Sequence, residues 1–92
     1  MKPYELTIIA PAELTVVGKI ELEKVIKEHA HISKRVVNGV KRLAYPIRNE
    51  DWGLYLYYEL DIDVEDDNVT KLSGQLNIHD DVMRYLLIKR AM

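Results

Sequence analysis

The side chains able to do acid, base or metal chemistry are few and poorly spaced. Three histidines are present, with His29 and His31 two apart and His79 alone in "HDD". Two histidines on one helix face share a metal at a spacing of four, so His29 and His31 read as solvated imidazoles. The absence of cysteine removes disulfides and thiolate metal sites. Carboxylates are plentiful but run together, as in Asp63-Val64-Glu65-Asp66-Asp67. Such runs are turn and helix-start charges rather than a tuned acid/base pair. No Gly-rich phosphate loop, nucleophile elbow or Ser-His-Asp order occurs. The reading is therefore no enzyme, no metal and no cofactor.

What remains is recognition chemistry. Six tyrosines, one tryptophan and no phenylalanine make an unusual aromatic set. Tyrosine has an apolar body and a polar tip, which suits a surface that is used. The formal net charge of −2 argues against attachment to nucleic acid by bulk charge, and leaves room for a local cationic patch. The cations Lys2, Lys34, Arg35, Lys41, Arg42, Arg48, Arg84, Lys89 and Arg90 sit in or beside strand-like segments, while most acids sit on helical segments and turns. That segregation points to phosphate contacts at a defined surface. The ordinary alternative is that edge strands carry cations to discourage sheet-to-sheet pairing.

These side chains must be placed by a single domain, since 92 residues are too few for two. No apolar run approaches the roughly 18 residues of a membrane-crossing helix. "YELTIIA" (4 to 10) reads as a strand with Tyr4, Leu6, Ile8 and Ala10 on one face and Glu5, Thr7 and Ile9 on the other. Residues 15 to 30 read as a helix, with Thr15 as N-cap and a stripe of Leu14, Gly18, Leu22, Val25, Ile26 and Ala30. Gly18 costs about 1 kcal/mol against alanine, and is expected to let the first turn approach a sheet. Residues 33 to 47 are strand-like with a break at Asn38-Gly39, either a hairpin turn or a bulge in one long strand. "RNEDWG" (48 to 53) reads as a polar turn and "LYLYYELDI" (54 to 62) as the clearest strand. A short helix follows over 65 to 78, capped by Asp66 or Asp67, with Val69, Leu72 and Leu76 as its stripe. "HDD" (79 to 81) is a turn, and "VMRYLLIKR" (82 to 90) a last strand.

The order β-α-β-β-α-β favours the ferredoxin-like, split βαβ sandwich. Its four antiparallel strands carry both helices on one face, with sequence strands 1 and 3 central and 2 and 4 at the edges. "KRLAYPI" (41 to 47) then belongs to an edge strand, where Pro46 misses no ladder donor. The open face is expected to carry Thr7, Ile9, Tyr55 and Tyr57, joined by Tyr85 and Leu87 from the last strand. That face is more apolar than solvation needs, so a partner, protein or base-stacking RNA, is expected on it.

The segments "MKPYELTIIA", "ELEKVI", "KRLAYPI", "GLYLYYEL" and "HDDVMRYLLIKR", in this order and over nearly the whole chain, resemble the family of the sixth protein of the bacterial small ribosomal subunit. "RLAYPI" is the most specific part and "DDVMRYLLIK" the second. The resemblance implies a cytoplasmic, ribosome-associated RNA-binding protein with the same α+β sandwich. It implies binding to the central domain of small-subunit rRNA as a heterodimer with the subunit's eighteenth protein, which is small and basic. No membrane, cofactor, catalysis or small-molecule substrate is implied. Carried over by position, Lys2, Lys41, Arg42, Arg84 and Lys89 are RNA-facing candidates, while Tyr4, Tyr45 and Tyr85 are structural or interfacial. Several departures stand out. The chain is shorter between the first helix and "KRLAYPI", Pro3 stands where a basic or polar residue is common, and Trp52-Gly53 precedes the third strand. The sequence stops at Met92, where family members often continue as a polar or basic tail, so a compact version without that tail is expected.

A second reading is a stand-alone single-stranded RNA module of the RNA-recognition-motif kind. That class shares the topology and stacks bases on strand aromatics, here Tyr55 and Tyr57. Against it, strand 1 offers Thr7 and Ile9 in place of an aromatic, and Asp51 and Trp52 replace the leading cation.

Overall fold

In the computed structural model, which describes residues 1–90, four strands and two helices alternate as the sequence predicts. They are β1 (Lys2–Pro11), α1 (Val16–Lys27), β2 (His31–Ile47), β3 (Glu50–Ile62), α2 (Asn68–Ile78) and β4 (Arg84–Lys89). The sheet is antiparallel throughout and ordered β2-β3-β1-β4, so β1 and β3 are central. Ala91 and Met92, where the sequence reading ends the chain without a tail, lie outside the described residues.

Strand alternation decides which face is covered. Leu6 pairs with Tyr58, Ile8 with Leu56 and Ala10 with Leu54. These residues share the inner face, and all but the partly buried Leu54 are fully or nearly fully buried. Leu22 and Ile26 of α1 and Leu72 and Leu76 of α2 close over them with no exposed surface. Each such Leu or Ile contributes about 1.5–3 kcal/mol by leaving water. This one cluster is what holds both helices to the sheet.

Helix α1 starts where expected, with Thr15 Oγ1 accepting from the Gly18 amide at 3.0 Å. Lys24 and Lys27 in the last turn complement the helix dipole. The expected role of Gly18 needs correction. A Cβ there would stand 2.8 Å from Leu14 Cδ1 and 3.5 Å from Asp81 Oδ2, so the close approach is to Leu14 and the α2–β4 loop, not the sheet. Helix α2 starts later than predicted, at Asn68. Asp66 and Asp67 adopt left-handed φ of 59° and 56° in a 3₁₀ turn, and neither caps the helix through its side chain. Asn68 Nδ2 instead donates to the carbonyls of Asp63 (2.8 Å) and Glu65 (3.0 Å).

Strand β2 is one strand, and Asn38-Gly39 is a bulge in it. The pairing register shifts between Val37 and Gly39. Gly39 holds φ of 87°, a value that glycine adopts without penalty. The hairpin turn lies further on, at Arg48-Asn49, with Ile47 paired to Glu50. Both turn residues have positive φ, 52° and 62°, as a turn matched to strand twist requires. Residues 50–53 therefore belong to β3 and not to a polar turn. Arg48 anchors the turn, donating to the carbonyls of Asp80 (2.8 Å) and Val82 (2.9 Å). Pro46 lies in a stretch, residues 43–46, that stands opposite Asp51 alone. No ladder hydrogen bond is lost to it, as its edge position predicts.

Candidate nucleic-acid and protein interface

The uncovered face of the sheet follows from the register. Tyr55 pairs with Ile9, Tyr57 with Thr7 and Glu59 with Glu5. Strand β4 adds Arg84 beside Ile9, Leu86 beside Thr7 and Ile88 beside Glu5. Leu86 is 59% exposed and Ile88 44%, although both are large and apolar. Thr7, Ile9, Tyr55 and Tyr57 sit on the open face as the sequence predicts.

Tyr85 and Leu87 do not. They pair with the fully buried Ile8 and Leu6 and pack against the core. The Tyr85 hydroxyl donates to the Ser73 carbonyl of α2 at 3.2 Å. Their place on the open face is taken by Leu86 and Ile88. Both alternation phases of "RYLLIK" carry two apolar residues, so periodicity alone leaves the phase open. A phenol that needs a buried partner is the one signal favouring the inner side for Tyr85. Tyr4 likewise packs against the core, whereas Tyr45 is 77% exposed on the irregular part of β2.

A small apolar ridge crosses the open face at its Arg84 end. Gly53 lies between Ile9 and Leu43, and a Cβ there would stand 2.6 Å from Ile9 Cγ2 and 3.2 Å from Leu43 Cδ2. Glycine thus leaves room over the backbone of β3 for side chains that close in from both neighbouring strands. Lys41 stands beside this ridge with Nζ 5.4 Å from the centre of the Tyr55 ring, within cation–π range.

The five candidate cations divide by place. Lys41 and Arg84 are on the open face at the same end of the sheet, on β2 and β4. Arg42 is at that end but pairs with Trp52, on the other alternation phase. Lys2 pairs with Ile62 and Lys89 with Tyr4, which puts them at the opposite end on the helix-side phase. All five are exposed, and among the described residues none has a carboxylate within ion-pair distance. Arg90 is engaged, reaching Glu59 at 3.0 Å and Glu5 at 3.8 Å.

Carboxylates Glu5, Glu59 and Asp61 hold the other end of the open face. Tyr57 donates to Glu59 at 3.3 Å. Its phenol is pushed above the usual range by burial first, then by Glu5 and Glu59. The open face therefore runs from cationic, through apolar, to a mixed end where Arg90 engages Glu5 and Glu59, Lys34 pairs with Glu59, and Asp61 has no cation within ion-pair distance among the described residues. His29 and His31 join no group of three metal-ligating side chains among the described residues. Among the described residues no helix is long and apolar enough to cross a membrane.

An antiparallel sheet ordered β2-β3-β1-β4, with both helices on one side and an apolar open face on the other, defines a ferredoxin-like sandwich. Its backbone is similar to the crystal structure of 30S ribosomal protein S6 from Thermotoga maritima. That likeness has a TM-score of 0.81 at 20% identity and covers 97% of this chain and 87% of that one. Curated relatives include the small ribosomal subunit proteins bS6 of Thermus thermophilus and Corynebacterium efficiens. The first is 32% identical, covering 97% of this chain and 91% of the relative. The second is 35% identical, covering 97% of each. The family described as ribosomal protein S6 matches residues 3–89, and the chain belongs to it. It is accordingly a small-subunit ribosomal protein, associated with the ribosome in the cytoplasm.

Proposed function

We propose that this chain is a structural constituent of the small subunit that binds the central domain of small-subunit rRNA as a heterodimer with the eighteenth small-subunit protein. The carrying observation is the open face, where exposed Leu86 stands beside Thr7 and exposed Ile88 beside Glu5, with Tyr57 and Glu59 across β1. An exposed apolar strip marks a docking surface, and Asp61 at its border, left without a cation while Arg90 takes Glu5 and Glu59, suits a small basic protein rather than phosphate. Tyr55 and Tyr57 with Leu86 and Ile88 form the partner side. The exposed, unpaired Lys2, Lys41, Arg42, Arg84 and Lys89 supply contacts to the RNA backbone, which fix orientation without reading bases. Beside Tyr57 and Tyr55 the central strand β1 offers Thr7 and Ile9 and no second aromatic, which disfavours base stacking as the main mode.

The test is a pull-down with tagged protein, with and without ribonuclease. Recovery of small-subunit rRNA together with the eighteenth protein supports the reading. Survival of that protein after ribonuclease makes the contact a protein one. Mixed messenger fragments with no ribosomal partner would overturn it in favour of the single-stranded RNA module.

A further inference from the structure

On the helix side of the sheet, away from the open face, a second surface is left uncovered. Val16 is 76% exposed and Ile20 53% on α1, and Val37 is 51% and Val40 50% on β2. Val37 and Val40 share the inner phase of β2, paired with Leu56 and Leu54, but no helix covers them. Val16 and Ile20 lie outside the stripe that α1 buries. A shallow groove between the two elements is lined by Val16, Lys19, Ile20, Glu23, Lys27 and Arg35. Val37 and Val40 do not line this groove, but they follow Arg35 on the inner phase of β2 and so continue its sheet side; exposed aliphatic side chains adjoining a groove mark a contact surface.

The charge around the groove decides what fits it. Glu23 is satisfied internally, accepting from the Tyr58 hydroxyl at 3.1 Å and pairing with Arg35 at 3.1 Å. Lys19 and Lys27 have no carboxylate within ion-pair distance among the described residues. The opposite flank of α1 has the reverse charge, since Glu21 shares its groove with Asp80 and Asp81. The β2 flank is thus aliphatic with free cations at its rim. RNA would meet the lysines but find nothing to stack on or bond to among the valines and Ile20. A protein segment with aliphatic residues flanked by carboxylates satisfies both halves.

We infer that the α1–β2 groove docks an acidic amphipathic protein segment, its aliphatic side chains against Val16, Ile20, Val37 and Val40 and its carboxylates toward Lys19 and Lys27. The site is independent of the open sheet face, so both surfaces are free to be occupied at once.

The full chain, isotope-labelled, is titrated by NMR with three probes: a short helical peptide of Leu and Glu, the same peptide with Lys for Glu, and a short single-stranded RNA. The expected result is that the Glu peptide alone shifts the amides of Val16, Ile20, Val37 and Val40. Its binding should weaken about tenfold in Ile20→Ser and by a similar factor in the pair Lys19→Glu and Lys27→Glu. These residues lie outside the core cluster, and an unchanged circular dichroism spectrum confirms that the variants fold. Equal binding of both peptides overturns the inference. So does failure of the Glu peptide to shift these amides, or RNA shifting them in its place.

Discussion

The buried phenol of Tyr58 donates a hydrogen bond of 3.1 Å to the Glu23 carboxylate, joining the centre of β3 to α1. The same carboxylate holds Arg35 of β2, so one glutamate ties three elements. Burial, then Glu23, raises the Tyr58 phenol well above its ordinary value. The folded state therefore keeps the proton that the unfolded chain releases above about pH 10. The stabilisation is complete below pH 10 and is lost as pH rises above it, by about 1.4 kcal/mol per pH unit. Tyr58→Phe should cost about 1 kcal/mol at neutral pH and flatten the alkaline loss. Denaturant melts at neutral and alkaline pH check this, and an equal alkaline loss in the variant would sink it.

Arg48 has a separable side-chain role. Its two hydrogen bonds to the α2–β4 loop should be worth about 1–2 kcal/mol together. Arg48→Gly removes the anchor while easing the positive φ of 52°, and Arg48→Ala removes it without easing φ. Both should speed hydrogen exchange around Val82 and Met83. Protection equal to that of the parent would show that the anchor carries no stability.

Gly53→Ala brings a methyl group to 2.6 Å from Ile9 Cγ2. Overpacking of this kind costs about 1–3 kcal/mol. Adding Ile9→Ala deletes the opposing methyl and should recover part of the loss, giving a favourable coupling in a double-mutant cycle. Strict additivity would show that the two side chains do not meet.

If each cation contacts one phosphate, Arg42→Ala and Arg84→Ala should each lower the salt slope of rRNA binding by about 1. Leu86→Glu should abolish partner binding and leave the fold intact, since Leu86 is 59% exposed. Unchanged slopes with both arginine variants would remove them from the RNA surface. Partner affinity unaffected by Leu86→Glu would remove the open face from the protein interface.

The fold was legible because β1 and β3 alternate without ambiguity and the apolar stripes of both helices are distinct. The candidate site was legible on those two strands only. On β4, residues of both phases are apolar, so Tyr85 and Leu87 were expected where Leu86 and Ile88 stand. On β2, Asn38-Gly39 carries a hairpin signature but sits in a bulge. The true turn uses Arg48 and Asn49, which bear no glycine to flag their positive φ. The α1–β2 groove leaves no mark in the sequence, because Val16 and Ile20 look like ordinary helix residues until the sheet shows which flank they face.

The order of the strands also sets a clock. The central strand β1 is made first and β4 last among the described elements, yet the two pair side by side. A chain emerging during synthesis therefore holds one flank of β1 open until nearly the whole domain has been made. Leu86 and Ile88 arrive with that final strand. The apolar strip of the open face is incomplete on a half-made chain, so the docking proposed for it would wait for the fold to finish.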